Sequence, residues 1–349
     1  MILINILIFL LGLILLVKGS DFLVKAAAGI ANHLGVSELV IGLTLVALGT
    51  SIPELASSVI AALKEESGLV IGNVVGSNIA NIGLIIGLGA LLATIKTRKE
   101  MLKRDGYIML FAALIFYAII SNGLISRIEA LLFLLLYVAY TVFLFEGTPK
   151  CEDDQTFSHF MRYFLGFKYL VTIKNCIRSN HTTKNKKETT SERITEKSKI
   201  GLIKDLPILA ISGFAVVIGA NFLVNEAIFF AEFFDLPKTV IGITLLAVGT
   251  SLPELGVTAV AVRRGYGDIA VGNVLGSNIV NIFLVAGVSA VVFPLSVIKS
   301  TVFYSTPFMI VVSLLLLIFI KTDWELRRIE GIAFLILYTI FLAVLFAIT

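Results

Sequence analysis

The chain has 349 residues, 58% of them apolar and only 15% charged, with a net charge of +4 and a mean hydropathy of +0.99. A soluble domain carries about 25% charged residues and has no way to bury this much apolar surface under so thin a polar skin. Soluble enzymes, nucleic-acid-binding proteins and secreted disulfide scaffolds are excluded, the last also because Cys151 and Cys176 are the only cysteines.

A spanning helix needs about 20 mostly apolar residues. In chain order, such stretches lie near 2–30, 38–63, 68–93, 106–121, 128–146, 206–231, 238–262, 268–292, 302–320 and 328–347. They predict an all-α membrane protein of ten spans. The opening apolar run lacks the basic start of a signal peptide and is expected to be the first span. Residues 147–205 differ, with 12 Lys/Arg, 7 Asp/Glu and the polar tract SNHTTKNKKETTSERITEKSK, which marks a solvated linker. The chain thus divides into 1–146, 147–205 and 206–349. With the linker cytoplasmic, 22 loop Lys/Arg fall inside and only Lys64, Arg127, Lys238 and Lys299 outside. Basic loops stay inside, so both termini are expected outside a plasma membrane.

The sequence repeats at an offset of 200 residues. VIGLTLVALGTSIPEL (40–55) matches VIGITLLAVGTSLPEL (240–255) at 12 of 16 positions, and GNVVGSNIANI (72–82) matches GNVLGSNIVNI (272–282) at 9 of 11. VKGSDFLV (17–24) faces VIGANFLV (217–224), and RIEALLFLLLY (127–137) echoes RRIEGIAFLILY (327–338) with one residue of slippage. Two copies of a five-span unit must insert in opposite orientations. Inverted repeats belong to secondary transporters, with ion sites near the midplane where the copies meet.

Glu54 and Glu254 lie well inside apolar spans, where a carboxylate is expensive and marks an ion path. A structural ion pair is the alternative, but neither span core holds a basic residue; Lys18, in the first span, has Asp21 three residues on as its own partner. Each Glu follows a Pro, which lacks an N–H and frees a carbonyl one turn back, here near Ala47–Gly49 and Ala247–Gly249. Broken backbone is tolerated at membrane depth only against protein or a polar cavity. The third and eighth spans add Gly72, Asn73, Gly76, Ser77, Asn78 and Asn81, then Gly272, Asn273, Gly276, Ser277, Asn278 and Asn281. Small residues permit close helix approach, and Ser and Asn also serve as polar glue between helices. With no Cys or His in the spans, these hard oxygen donors suit Ca²⁺ and Na⁺ rather than Zn²⁺ or Cu⁺. Two ionised Glu give the empty site −2, neutralised by one Ca²⁺ or two Na⁺.

The G-T-S-x-P-E and G-N-x-x-G-S-N-x-x-N motifs, each present twice, resemble the alpha-repeats of the sodium/calcium exchanger family, prokaryotic type, within the calcium/cation antiporter superfamily. The resemblance implies an antiporter, not an enzyme, that carries Ca²⁺ and Na⁺, needs no cofactor and acts as a monomer in the lipid bilayer without nucleic-acid partners. It implies Glu54 and Glu254 as shared carboxylates. It further implies Thr50, Ser51, Thr250, Ser251, Ser77 and Ser277 as oxygen ligands, with Asn81 and Asn281 beside them and the carbonyls of Ala47 and Ala247. Spans 1 and 6 are expected to slide across the other eight. One departure stands out: many prokaryotic and potassium-dependent members carry Asp where Asn281 stands.

Within the linker, FSHFMRYFLGFKYLVTIKNCI (157–177) has the pattern of an amphipathic helix on the inner leaflet. Glu152, Asp153 and Asp154 read as a solvated charge run. Na⁺-driven Ca²⁺ extrusion is the expected activity. A Ca²⁺/H⁺ antiporter is the alternative within transport, since paired carboxylates also exchange protons. A cation channel is the alternative outside it, disfavoured by the inverted repeat.

Overall fold

The computed structural model describes residues 2–33, 48–146, 156–169 and 192–348. Its helices in chain order are α1 (Ile2–His33), α2 (Ile52–Leu63), α3 (Ser67–Leu92), α4 (Tyr107–Ile120), α5 (Arg127–Glu146), α6 (Phe157–Leu165), α7 (Glu192–Phe233), α8 (Lys238–Thr250), α9 (Leu252–Arg263), α10 (Gly267–Val292), α11 (Thr301–Asp323) and α12 (Arg328–Ala347). Among the described residues, seven helices are long and apolar enough to cross a bilayer, and eight if the bent pair α8–α9 is one span.

Apolar runs make these helices, and the polar punctuation ends them where backbone groups find side-chain partners. Before α5, Glu129 Oε2 accepts from the backbone N–H of Ser126 at 2.7 Å. Before α12, Glu330 Oε2 accepts from the backbone N–H of Arg327 at 2.9 Å. These are equivalent caps in the two halves, each satisfying an orphan donor at a helix start, and they carry the one-residue slippage seen in the sequence.

Four two-residue strands link the halves: β1 (Ile95–Lys96), β2 (Leu124–Ile125), β3 (Leu295–Ser296) and β4 (Glu325–Leu326). β1 pairs antiparallel with β4, Ile95 opposite Leu326, and β2 with β3, Leu124 opposite Ser296. β3 is the repeat equivalent of β1 and β4 that of β2, so each half lends a strand to the other reciprocally. A self-complementary contact related by a two-fold axis has this form.

α3 and α10 form the centre. The apolar window of α3 is 94% buried and that of α10 78%, against 22% for α1 and 33% for α7. α3 crosses α8 so closely that a Cβ on Gly76 would lie 2.6 Å from both Cα and O of Ile243. α1 and α7 pack antiparallel through small residues: Gly12 against Gly219 and Phe222, Gly19 against Ser212 and Val216. Their outer faces expose Leu3, Leu7, Ile14, Ile211 and Phe214, as lipid-facing helices do. On α1 Asp21 pairs with Lys25, four residues on, at 2.8 Å, and no ion pair between Asp21 and Lys18 forms among the described residues.

Two features of the linker differ from the sequence reading. α7 begins at Glu192, so the end of the polar tract is helical and continuous with the sixth span. The aromatic stretch from 157 is helical to Leu165, breaks at Gly166 and Phe167, where φ is +52, and is helical again at Lys168 and Tyr169; residues 170–177 lie outside the described residues. α6 packs across α4 and α5 through Phe157–Phe111 and Phe160–Phe143 ring contacts at 5.4 and 5.5 Å. Cys151, Cys176, Glu152, Asp153 and Asp154 lie outside the described residues.

Candidate ion-binding site

The site is built on two helix breaks. Pro253 cannot donate to the carbonyl one turn back, and the chain bends by 47° between α8 and α9. Ser251 at the break has φ −83 and ψ 9, and Ser51 before α2 has φ −88 and ψ 7. The helical ladder restarts at once, with Leu55 N–H donating to Ser51 O at 3.0 Å and Leu255 N–H to Ser251 O at 3.1 Å. Glu54 and Glu254 therefore occupy the first turns of α2 and α9, where the unpaired N–H groups and the helix dipole favour negative charge.

The two breaks reach across to each other. Ser251 Oγ donates to Glu54 Oε1 at 3.0 Å, and Ser51 Oγ to Glu254 Oε1 at 3.3 Å. Thr250 Oγ1 donates to Asn73 Oδ1 at 3.2 Å, and Thr50 Oγ1 to Asn273 Oδ1 at 3.4 Å. Each half thus supplies hydroxyls to the other half's carboxylate and amide. Ser277 Oγ adds a contact to Glu254 Oε1 at 3.4 Å, and Ser77 Oγ one to Asn73 Oδ1 at 3.5 Å.

These residues are sealed from solvent. Glu54 is 1% exposed, and Glu254, Ser77, Asn81, Ser277 and Asn281 are 0% exposed. Among the described residues, no ion pair involves either carboxylate. Of the buried oxygens without a hydrogen-bond partner among the described residues, four belong to these site residues: Glu54 Oε2, Glu254 Oε2, Asn81 Oδ1 and Asn281 Oδ1. Buried polar atoms are nearly always paired, and an unpaired carboxylate is among the costliest groups to bury. Four such oxygens on the helices that carry the paired motifs are acceptors that a metal ion would satisfy.

The backbone itself is adapted there. Regular helix gives way to wide π turns over Asn81–Ile86 and Asn281–Val285, at the same place in each half. Such bulges inside helices concentrate at functional sites, and these start at the two Asn residues.

Of the twelve residues singled out in sequence, Ala47 lies outside the described residues. Glu54, Ser251, Thr250 and Ser77 are joined through Asn73 in one hydrogen-bonded network, and Glu254, Ser51, Ser277 and Thr50 in its counterpart, with Asn81 and Asn281 buried one turn beyond Ser77 and Ser277. The Ala247 carbonyl already accepts from Ser251 N–H at 3.0 Å and Thr250 Oγ1 at 3.3 Å.

The sequence reading passed over Asn73 and Asn273 as site residues. Asn73 Nδ2 donates to Glu54 O at 3.3 Å and Ser58 Oγ at 2.9 Å; Asn273 Nδ2 donates to Glu254 O at 3.4 Å and Thr258 Oγ1 at 3.3 Å. They hold the backbone behind each carboxylate. The signal was available: 73, 77 and 81 are spaced i, i+4, i+8 on one helix face, as are 273, 277 and 281.

Buried paired carboxylates on broken, mutually crossing membrane helices define the class as a membrane protein with a hard-donor site at its centre. The comparisons make the class specific. The family description "Sodium/calcium exchanger protein" matches residues 4–146 and 204–347, and the chain belongs to that family. It is 55% identical over 348 residues to sodium/calcium exchanger MaX1 of Methanosarcina acetivorans, covering 99% of both chains. It is 35% identical over 337 residues to an uncharacterized membrane protein of Methanocaldococcus jannaschii, covering 96% of both. Among solved structures it resembles the sodium-calcium exchanger NCX_Mj soaked with Na⁺ and Sr²⁺, at a TM-score of 0.60 and 32% identity, over 98% of this chain and 99% of that one.

Proposed function

We propose that the chain exchanges Na⁺ for Ca²⁺ across the plasma membrane by alternating access, and that the Na⁺ gradient drives Ca²⁺ out. One observation carries this reading above the others. Glu54 Oε2, Glu254 Oε2, Asn81 Oδ1 and Asn281 Oδ1 are buried without partners, beside hydroxyls that already bridge the two halves. All are oxygens, the donor set for Ca²⁺ and for Na⁺ with the same ligands. Two ionised Glu leave the empty site at −2, which one Ca²⁺ or two Na⁺ neutralise. A desolvated, uncompensated charge costs several kcal/mol, so the empty protein resists changing sides. That resistance is what couples the two ions. The transported ions are cargo; the reading assigns no cofactor and no chemical reaction.

The same reading makes the fold ten spans in two inverted five-span repeats. Adding α2 and α4 to the eight spans of the described residues gives ten, and the reciprocal strand pairs support a two-fold relation between the halves. The central loop is cytoplasmic, both termini are outside, and one chain suffices for transport. α1 and α7 form the element that shifts, supported by their low burial and their mutual glycine-lined contact.

The test is ⁴⁵Ca²⁺ uptake by proteoliposomes under imposed Na⁺, K⁺ or H⁺ gradients. Vesicles loaded with Na⁺ and diluted into Na⁺-free medium should accumulate ⁴⁵Ca²⁺; K⁺ or H⁺ gradients alone should not. Accumulation driven by H⁺ alone indicates the Ca²⁺/H⁺ reading, and flux that needs no counter-ion indicates a channel.

A further inference from the structure

The two halves treat their equivalent amides differently. Asn81 Nδ2 donates to Asn278 Oδ1 at 2.9 Å, so the Asn81 carbonyl oxygen turns away from that contact, buried and without a partner. Asn278 is held in turn. Its Nδ2 donates to the backbone O of Asn78 at 3.4 Å and reaches Met109 Sδ at 3.6 Å. An amide has one acceptor end and one donor end. With acceptors on its donor side, Asn278 presents its oxygen to Asn81, and Asn81 consequently keeps its own oxygen free. The equivalent pair in the other half does not repeat this. Asn78 Nδ2 folds back onto Val74 O at 2.7 Å on its own helix, and Asn281 has neither Nδ2 nor Oδ1 partnered.

We propose that Asn278, backed by Met109, is a positioning residue that fixes Asn81 with its oxygen toward the ion, while Asn281 is left to turn. This rests on the cation-binding reading above. Met109 Sδ and the Asn78 carbonyl set Asn278, Asn278 sets Asn81, and of the two equivalent amides only Asn81 is held in one orientation by a hydrogen bond. A packing role alone would leave Asn78 and Asn278 interchangeable, yet only Asn278 crosses to the other half. A ligand already aimed spares the ion the cost of orienting it, so the effect belongs in ion affinity rather than in turnover.

The experiment measures the thermal stabilisation of the purified full chain by NaCl and by CaCl₂, which reports ion affinity without needing transport. The unaltered protein is compared with Asn278→Ala, Asn81→Ala, their double variant and Met109→Leu. Asn278→Ala should weaken the apparent affinity for at least one ion roughly 5- to 10-fold, as expected for one lost hydrogen bond. Because Asn278 acts through Asn81, the double variant should be no weaker than Asn81→Ala alone. Met109→Leu, nearly volume-neutral, should shift affinity in the same direction by less, and it carries the test if Asn278→Ala does not fold. In proteoliposomes, the change should appear in the ion KM and leave the maximal rate within about 2-fold. Unchanged affinity in both Asn278→Ala and Met109→Leu overturns the inference alone, as do additive losses in the double variant. If neither ion stabilises the unaltered protein, the exchanger reading falls and takes the inference with it.

Discussion

Replacing Glu54 by Gln separates the charge of the site from its shape. Gln keeps an oxygen where Glu54 Oε1 accepts from Ser251 at 3.0 Å, and it places an NH₂ where Oε2 has no donor. The fold should survive, because the residue is 1% exposed and the new side chain has nearly the same volume. A divalent ion would then face a site of −1. Removing one member of a buried, charge-compensated set costs about 3–5 kcal/mol, or between about 10²- and 10⁴-fold in affinity at 1.4 kcal/mol per decade. At CaCl₂ about 100 times its dissociation constant, the unaltered protein should gain about 2.7 kcal/mol of stability, roughly 5–10 °C in Tm for a domain-sized cooperative unit. At the same concentration the variant gains under about 0.4 kcal/mol, a shift of about 1 °C. Without ions the variant should melt higher than the unaltered protein, because burying an uncompensated carboxylate costs several kcal/mol. The assays are thermal unfolding in chelator with stepwise CaCl₂, and ⁴⁵Ca²⁺ uptake by Na⁺-loaded vesicles. A variant that keeps the Ca²⁺-induced shift, or takes up Ca²⁺ near the unaltered rate, would refute the charge argument.

Glu254→Gln should behave like Glu54→Gln, since Ser51 and Ser277 both donate to its Oε1; a unilateral effect would contradict a shared site. Gly76→Ala puts a Cβ 2.6 Å from Ile243 Cα and should cost about 1–3 kcal/mol and abolish transport, whereas Gly256→Ala, with nothing within 4 Å, should be neutral or stabilising in a melt. Single cysteines in the loops near 64–67 and 263–267, in a background lacking Cys151 and Cys176, should label from opposite sides of sealed vesicles; labelling from one side removes the inverted repeat. Asn281→Asp brings the formal charge to −3 unless a proton is held, so ⁴⁵Ca²⁺ uptake should acquire a pH dependence across pH 6–9 that the unaltered protein lacks, and the unaltered protein should need no K⁺.

How much of this was visible beforehand depends on how far each feature reaches along the chain. The spans were legible because lipid imposes a length and an apolar composition on each one separately; the predicted 128–146 and the observed Arg127–Glu146 differ by a residue. The carboxylates were legible because a Glu after a Pro in an apolar span is locally anomalous. The start of α7 at Glu192 was not, since a charged, polar tract favours solvation and helix equally until the sixth span extends it. The crossed hydroxyls were also hidden: that Ser51 bonds Glu254 rather than Glu54, 203 residues away rather than three, follows only from how the halves interlock. Sequence identity between the copies suggests equal roles for Asn78 and Asn278, and the fold separates them. Asn278 has Met109 Sδ and the Asn78 carbonyl behind it and so reaches across the interface, while Asn78 bonds its own helix. Repeated sequence therefore sets which chemistry is present twice, and the imperfect two-fold packing of one copy on the other sets which of the two equivalent amides is held ready for an ion.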